Sequence, residues 1–373
     1  MLFRDIVGQE AIKEELFRGH KKGRIPHCQL FYGPKGCGSL PLAIAYARMV
    51  LCGEEVLSNQ ACNLRVSELK HPDLHFIFPV ANTQEIKTKA ISANFLPQWR
   101  VFLHSNSYAS LYDWFLSIGI ENKQGKIGKD EVSDLVKKMS LKSYEGGWKV
   151  AIIWMAERMN LSATNKLLKL IEEPPAKTIF LLITENEDQI ISTIRSRCQA
   201  LHFPVLSEQD IANELIIREK CSESDALKIA TQAEGNYNKA IHLLHQDSND
   251  LIFEQWFIAW IRTAFKAKGN AAVIQELVVW SETIAKTGRE NQKQFLDYCL
   301  QFFRQALLLN YKSPDLVFLE TQTPKFNLQN FAPFVHSENI LAIEKELNDA
   351  MYHIERNGNA KIILLDLSMK LTR

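Results

Sequence analysis

Two stretches of this chain are built only from apolar residues: Val-Ala-Ile-Ile-Trp-Met at 150–155 and Ile-Phe-Leu-Leu-Ile at 179–183. A strand with one face in water alternates between apolar and polar side chains. An unbroken run of this length instead suits a strand covered on both faces, as in a parallel sheet layered by helices. Between the two runs, Asn165 to Glu173 predicts a helix with Leu167, Leu168 and Ile171 turned inward, stopped by Pro174-Pro175. Strand, helix and strand at this spacing make a βαβ unit. A third short run, Cys28-Gln-Leu-Phe-Tyr32, ends at Gly33. Residues 1–204 are therefore expected to form an α/β domain.

One stretch inside that domain reads as an insertion, at about 81–126. It carries Trp99, Phe102, Tyr108, Tyr112, Trp114 and Phe115 among polar residues. A local core suits these aromatics better than a base-stacking surface, and the insertion's role stays open. After Pro204 the strand pattern stops. Ser207 and Ser222 each precede an acidic residue by three positions, as helix caps do, and Gly235 is a natural helix stop. Residues 205–247 are expected to be a small helical domain. Residues 248–373 are expected to be all-α, with Trp256, Phe257, Trp260, Ile261 and Phe265 at helical spacing, then Phe295, Cys299, Phe302 and Phe303, and then Ile340, Ile343, Leu347, Met351 and Ile354.

The 44 basic and 43 acidic residues nearly cancel, so composition argues against a strongly basic nucleic-acid binder while leaving room for a local patch. No apolar run reaches the length of a membrane span, and the N-terminus has no signal-peptide pattern. The expected location is the cytoplasm. The seven cysteines are odd in number and scattered, which in that compartment predicts reduced thiols.

Gly33-Pro-Lys-Gly36-Cys-Gly38-Ser39-Leu40 follows an apolar strand and precedes a helix, the setting of a phosphate-binding loop. The glycines stand where backbone N–H groups must approach phosphate. The chemistry is missing. Ser39 replaces the lysine that meets the β- and γ-phosphates, Leu40 replaces the hydroxyl that holds Mg²⁺, and Pro41 removes a further N–H. Lys35 is a weak substitute. The run at 150–155 ends in Trp154-Met155, where such a nucleotidase needs an acidic pair, and the nearest acid, Glu157, falls where a helix should begin. The expectation is a degenerate, non-hydrolysing loop with no bound metal; whether nucleotide still binds passively stays open.

Several elements together resemble the AAA+ clamp-loader subunits: Phe3-Arg-Asp-Ile-Val-Gly-Gln-Glu10, Ile25-Pro-His-Cys-Gln-Leu-Phe-Tyr-Gly-Pro34, His71-Pro-Asp-Leu74, Asn165-Lys-Leu-Leu-Lys-Leu-Ile-Glu-Glu-Pro-Pro175 and Ser196-Arg197-Cys198. Within the family, the broken loop is similar to the delta-prime branch; the gamma/tau branch keeps the lysine and the acidic pair. The resemblance implies an AAA+ sheet domain, a helical lid, and a C-terminal collar that holds a hetero-pentamer of delta, delta-prime and gamma/tau subunits. The pentamer places the sliding clamp on primer-template DNA. It also implies that Arg197, flanked by Ser196 and Cys198, serves in trans as an arginine finger for a neighbour's ATP site, with Arg195 as local competitor. The physics is sound, since a guanidinium can neutralise charge on a transferring phosphoryl group.

Two departures accompany the resemblance. Relatives often carry a four-cysteine zinc module; here Cys52 and Cys62 remain while Arg65 and Glu68 stand at the other two places, so no zinc is expected. Relatives that sense nucleotide also place an arginine three residues after the glycine at 235, where this chain has Asn236-Tyr237-Asn238. The competing readings are an active ATPase with an unusual loop, and a DNA-binding adaptor using the aromatic insertion with Lys123, Lys126, Lys137 and Lys138.

Overall fold

The computed structural model describes residues 1–54, 59–144, 147–245, 250–267, 270–313 and 326–371, with Val317, Leu319, Thr321 and Thr323. They form two compact units: residues 1–120 with 124–245, and residues 121–123 with 246–373.

The first unit is built on five parallel strands, β1 (Cys28–Tyr32), β2 (Leu74–Ile77), β3 (Lys149–Trp154), β4 (Thr178–Thr184) and β5 (Gln199–His202), in the order β2-β3-β4-β1-β5. The apolar runs at 150–155 and 179–183 become β3 and β4, at the centre of the sheet. Their side chains divide strictly by parity. Val150, Ile152, Trp154, Ile179, Leu181 and Ile183 join the core on one face; Ala151, Ile153, Phe180 and Leu182 join the core on the other. Two buried faces leave no place for a polar residue, which is why the sequence shows none.

Helices α1 (Glu10–Lys21), α2 (Ser39–Cys52), α3 (Gln60–Ser67), α4 (Leu96–Ser105) and α5 (Leu111–Ser117) come before β3, as does α6 (Lys129–Ser140). The predicted helix at 165–173 is α7 (Leu161–Glu172), begun four residues early because the Asn160 side chain accepts from the Ala163 N–H. Leu167 and Ile171 are buried as expected, and Leu168 is half-buried. A single turn, α8 (Ser192–Arg195), leads into β5. Then α9 (Glu208–Glu219) and α10 (Glu223–Ala233) start on their predicted serine caps, Ser207 and Ser222, and α11 (Tyr237–His245) follows Gly235. These last helices share an apolar cluster with Val7 and Tyr108.

The aromatic stretch builds a core. Trp99 stacks on Phe78 at 4.1 Å and meets Trp114 edge-on at 5.0 Å and Trp154 at 5.1 Å. Trp99 and Trp114 are fully buried, and the Trp114 indole N–H donates to the Pro79 carbonyl at 2.9 Å. A base-stacking surface is thus not what these rings form. Backbone bonds between Val80 and Lys126 close the stretch at its base.

The second unit contains α12 (Asp250–Ala267), α13 (Ala271–Ala285), α14 (Arg289–Asn310), α15 (Leu328–Phe331), α16 (Ser337–Glu355) and α17 (Ala360–Leu371). Its core stacks Trp260 on Trp280 at 5.1 Å, sets the Phe257 ring tilted against Phe302 at 4.2 Å, and has the Trp260 N–H donating to Ser368 at 2.8 Å. Among the described residues no helix is long and apolar enough to cross a membrane.

One expectation is corrected. The sequence predicts reduced thiols at Cys52 and Cys62, but they form a disulfide with Cα atoms 5.6 Å apart. The end of α2 and the first turn of α3 bring the two buried sulfurs together, with Asn59 capping α3 by accepting from the Cys62 N–H. Tertiary placement of two helix ends cannot be read from a spacing of 10 residues. The other five cysteines are free.

Candidate functional site

The loop at 33–38 runs from β1 into α2, as the sequence predicts. Gly36 and Gly38 have φ of 69° and 92°, so the loop keeps the left-handed turns a phosphate cradle uses. Its contents differ from a cradle. A Cβ on Gly36 would collide with the Asn236 side chain, and the Tyr237 N–H donates to the Gly36 carbonyl at 3.2 Å. A Cβ on Gly38 would lie 3.1 Å from the Tyr108 ring. Leu40, standing where a metal-holding hydroxyl is required, is buried in the core; Ser39 is half-buried, and Lys35 is exposed. The lysine and hydroxyl of a phosphate-binding loop are absent, and Tyr108, Asn236 and the Tyr237 backbone pack against the glycines on their Cα side.

What holds these residues in place comes from far along the chain. The buried Tyr108 hydroxyl accepts from the Val7 N–H at 2.8 Å, and its ring meets Tyr237 at 4.8 Å. Asn238 accepts from the Asn106 amide at 2.6 Å and donates to Asp113 at 2.8 Å, and His242 sits 3.3 Å from the same carboxylate. Burial would raise the Asp113 pKa, but bonds from His242 and Ser110 outweigh it and hold the carboxyl below its usual range. Asn238, three residues after Gly235, thus belongs to an internal hydrogen-bond network.

The strand ends beside the loop carry acids that sequence reasoning did not pair. β3 ends in Trp154, which packs into the aromatic core, and Met155 follows with φ of 56°. Glu157 lies on the next turn, and its Oε1 accepts from the Glu185 N–H at 3.3 Å. Burial pushes the Glu157 carboxyl up to about 7, and the Glu185 charge adds to the rise. Its Oε2 is buried without a hydrogen bond among the described residues. Glu185 follows Thr184, whose carbonyl accepts from the Gly33 N–H at 3.3 Å, so the two acids flank the loop. The signal available in the sequence is Glu185, two residues after the end of the second apolar run. Among the described residues no group of three or more His, Cys, Asp or Glu could hold a metal ion.

Arg197 stands elsewhere. It precedes β5, and β5 lies parallel to β1 with Gln29 opposite Gln199 and Tyr32 opposite His202. The loop leaves the C-terminal end of this strand pair, and Arg197 sits at the N-terminal end. From Cys28 to Gly33 at ~3.3 Å per residue is roughly 17 Å, more than an arginine side chain spans. Its guanidinium is half-exposed. Nη2 lies 2.8 Å from Glu172 at the end of α7, and Nη1 donates to the Thr193 carbonyl at 2.9 Å. Ser196 is exposed and donates to Thr193 at 3.3 Å, while Cys198 is half-buried. Arg195 turns instead toward Asp188 at 3.5 Å.

Residues 8–207 match the family described as DNA polymerase III, delta subunit. The chain belongs to that family. It is 28% identical over 243 residues to the DNA polymerase III subunit delta' of Bacillus subtilis (strain 168), a match covering 64% of this chain and 60% of that protein. It is 29% identical to the subunit tau of the same organism, over 65% of this chain and 37% of tau. Against the subunit delta' of Escherichia coli (strain K12) it is 25% identical, over 63% of this chain and 59% of the relative. The match thus spans three fifths or less of these relatives. Both the loop and Arg197 lie inside the 8–207 family match. Asn236 and Tyr237, which pack on the loop, lie beyond it.

Proposed function

We propose that this chain is a non-hydrolysing subunit of the DNA polymerase III clamp-loading assembly that lends Arg197 to the ATP site of an adjoining gamma/tau-type subunit. The observation that carries this reading is the separation of the two half-sites along one strand pair. The chain's own loop lacks the lysine and hydroxyl and has Tyr108 and Asn236 packed on its glycines, while its arginine is half-exposed at the opposite end of the β1–β5 pair. An arginine that cannot reach its own loop acts, if at all, on another subunit's phosphate. There it neutralises charge gathering on the transferring phosphoryl group.

In this reading the chain has no bound nucleotide, metal or zinc of its own. Its partners are gamma/tau and delta subunits in a hetero-pentamer, with the sliding clamp and primed DNA met through the complex, in the cytoplasm. Arg197 is held by Glu172 and the Thr193 carbonyl until a phosphate offers a better partner.

Arg197→Ala protein, reconstituted with gamma/tau and delta subunits, should assemble normally. The one site it completes should lose on the order of 10³-fold in turnover, so ATP hydrolysis by the complex falls by that site's share. An unchanged rate overturns the assignment. Turnover by the purified chain alone, abolished by Ser39→Ala, would instead establish the rival reading of an ATPase with an unusual loop.

A further inference from the structure

The sulfur atoms of Cys28 and Cys198 lie 2.7 Å apart, in direct contact, with either thiol able to donate to the other. Cys28 opens β1, and Cys198 immediately precedes β5. The β1–β5 register begins with Gln29 opposite Gln199, so the two cysteines occupy the next position back on parallel neighbours. Adjacent strands run ~4.8 Å apart, inside the Cα separation that a disulfide accepts. Both thiols are free. Cys28 is buried with Leu30, Phe180 and Ile194, and Cys198 sits half-buried at the rim of that cluster, on the edge strand. A reactant can therefore reach Cys198 while Cys28 waits behind it.

We propose that Cys28 and Cys198 form a reversible dithiol switch, closed by a peroxide, that ties the interior strand β1 to the residue directly after Arg197. In the first step the Cys198 thiolate attacks one peroxide oxygen, the O–O bond breaks, and Cys198 becomes a sulfenic acid as hydroxide leaves and is protonated to water. The Cys28 sulfur then attacks the sulfenic sulfur. The S–S bond forms, the S–O bond breaks, and the departing hydroxide takes the Cys28 proton as a second water. Two thiols lose two electrons and two protons, and one peroxide is reduced to two waters. The hydrogen bond to Cys198, and then burial, push the Cys28 thiol up, so it stays protonated until the sulfenic acid is beside it. The crosslink fixes the Arg197–Cys198 turn to the sheet and restricts the arginine's approach to a neighbour's phosphate. That consequence rests on the reading of Arg197 given above; the chemistry of the pair does not.

The test uses the full chain and hydrogen peroxide. After oxidation and alkylation of remaining thiols, digestion without reductant should yield a Cys28–Cys198 linked peptide. It should disappear with dithiothreitol and be missing from Cys28→Ala protein. Both thiols still alkylated, or Cys198 carried to sulfinic acid, overturns the proposal. In the reconstituted complex, peroxide should lower ATP hydrolysis toward the Arg197→Ala level for the wild-type chain and leave the Cys28→Ala chain at its starting rate. If the linked peptide forms and hydrolysis holds while Arg197→Ala still lowers it, the switch is wrong and the finger stands. If Arg197→Ala is equally without effect, the finger reading is what fails.

Discussion

The two ends of the β1–β5 strand pair have gone opposite ways. At the C-terminal end, the chain's own residues pack against the loop: the Tyr237 N–H donates to the Gly36 carbonyl, the Tyr108 ring lies against Gly38, and Leu40 is in the core. At the N-terminal end, Arg197 is half-exposed, held by one carboxylate and one carbonyl. The insertion, through Tyr108, and the residues after Gly235, through Asn236 and Tyr237, supply the groups that pack on the loop glycines. The difference separates loop glycines covered by the chain's own side chains from an arginine that solvent reaches.

The hardest way to break this comparison is to remove the support of the closed end. Trp99 is fully buried among Phe78, Trp114 and Trp154. Trp99→Ala should cost about 3–5 kcal/mol, measured as a loss of unfolding free energy in urea. If the two ends are independent, folded Trp99→Ala protein assembled into the complex should still support Arg197-dependent hydrolysis. A stability change under 1 kcal/mol would mean the ring cluster is not what holds the stretch above the loop.

Much of this was legible and some could not be. The central strands announce themselves because burial on both faces forbids polar residues, and the βαβ unit follows from them. β5 does not: it is an edge strand in which only Leu201 is buried, so no apolar pattern marks it. The departure of Ser39 and Leu40 from the phosphate-loop pattern is plain in the sequence. What packs on the loop is not, because Tyr108 reaches Val7 across 101 positions and Asn106 reaches Asn238 across 132. The Cys52–Cys62 bond escaped for the same reason, as does the pairing of Glu157 with Glu185 from two different strand ends.

A smaller effect sharpens the comparison through pH. Glu157 sits at the closed end with its carboxyl raised from 4.5 to about 7, chiefly by burial. Across that interval the folded chain holds a proton that the unfolded chain has released. The stability this group contributes is therefore complete below pH 4.5 and is lost as pH rises through 7, by up to about 3 kcal/mol. Glu157→Gln should flatten that part of the stability–pH curve relative to wild type, read from urea midpoints between pH 4.5 and 8. Glu131, also pushed up to about 7 by burial, is common to both proteins and cancels in the difference. Parallel curves would show that Glu157 is ionised in the fold at neutral pH.

The smallest expected effect probes a single atom of the closure. Tyr108→Phe keeps the ring against Gly38 and Tyr237 and removes only the hydroxyl that accepts from the Val7 N–H. That donor is then buried without a partner, at a cost of about 1–3 kcal/mol. The ring still packs against the loop, so the variant should be less stable yet acquire no affinity for ATP, measured by calorimetric titration with Mg²⁺ present. Binding that appears on loss of one oxygen would mean the closed end is held shut by a single hydrogen bond rather than by the packing of Tyr108, Asn236 and Tyr237. The contrast between a covered loop and an exposed arginine would then be a matter of equilibrium rather than of construction.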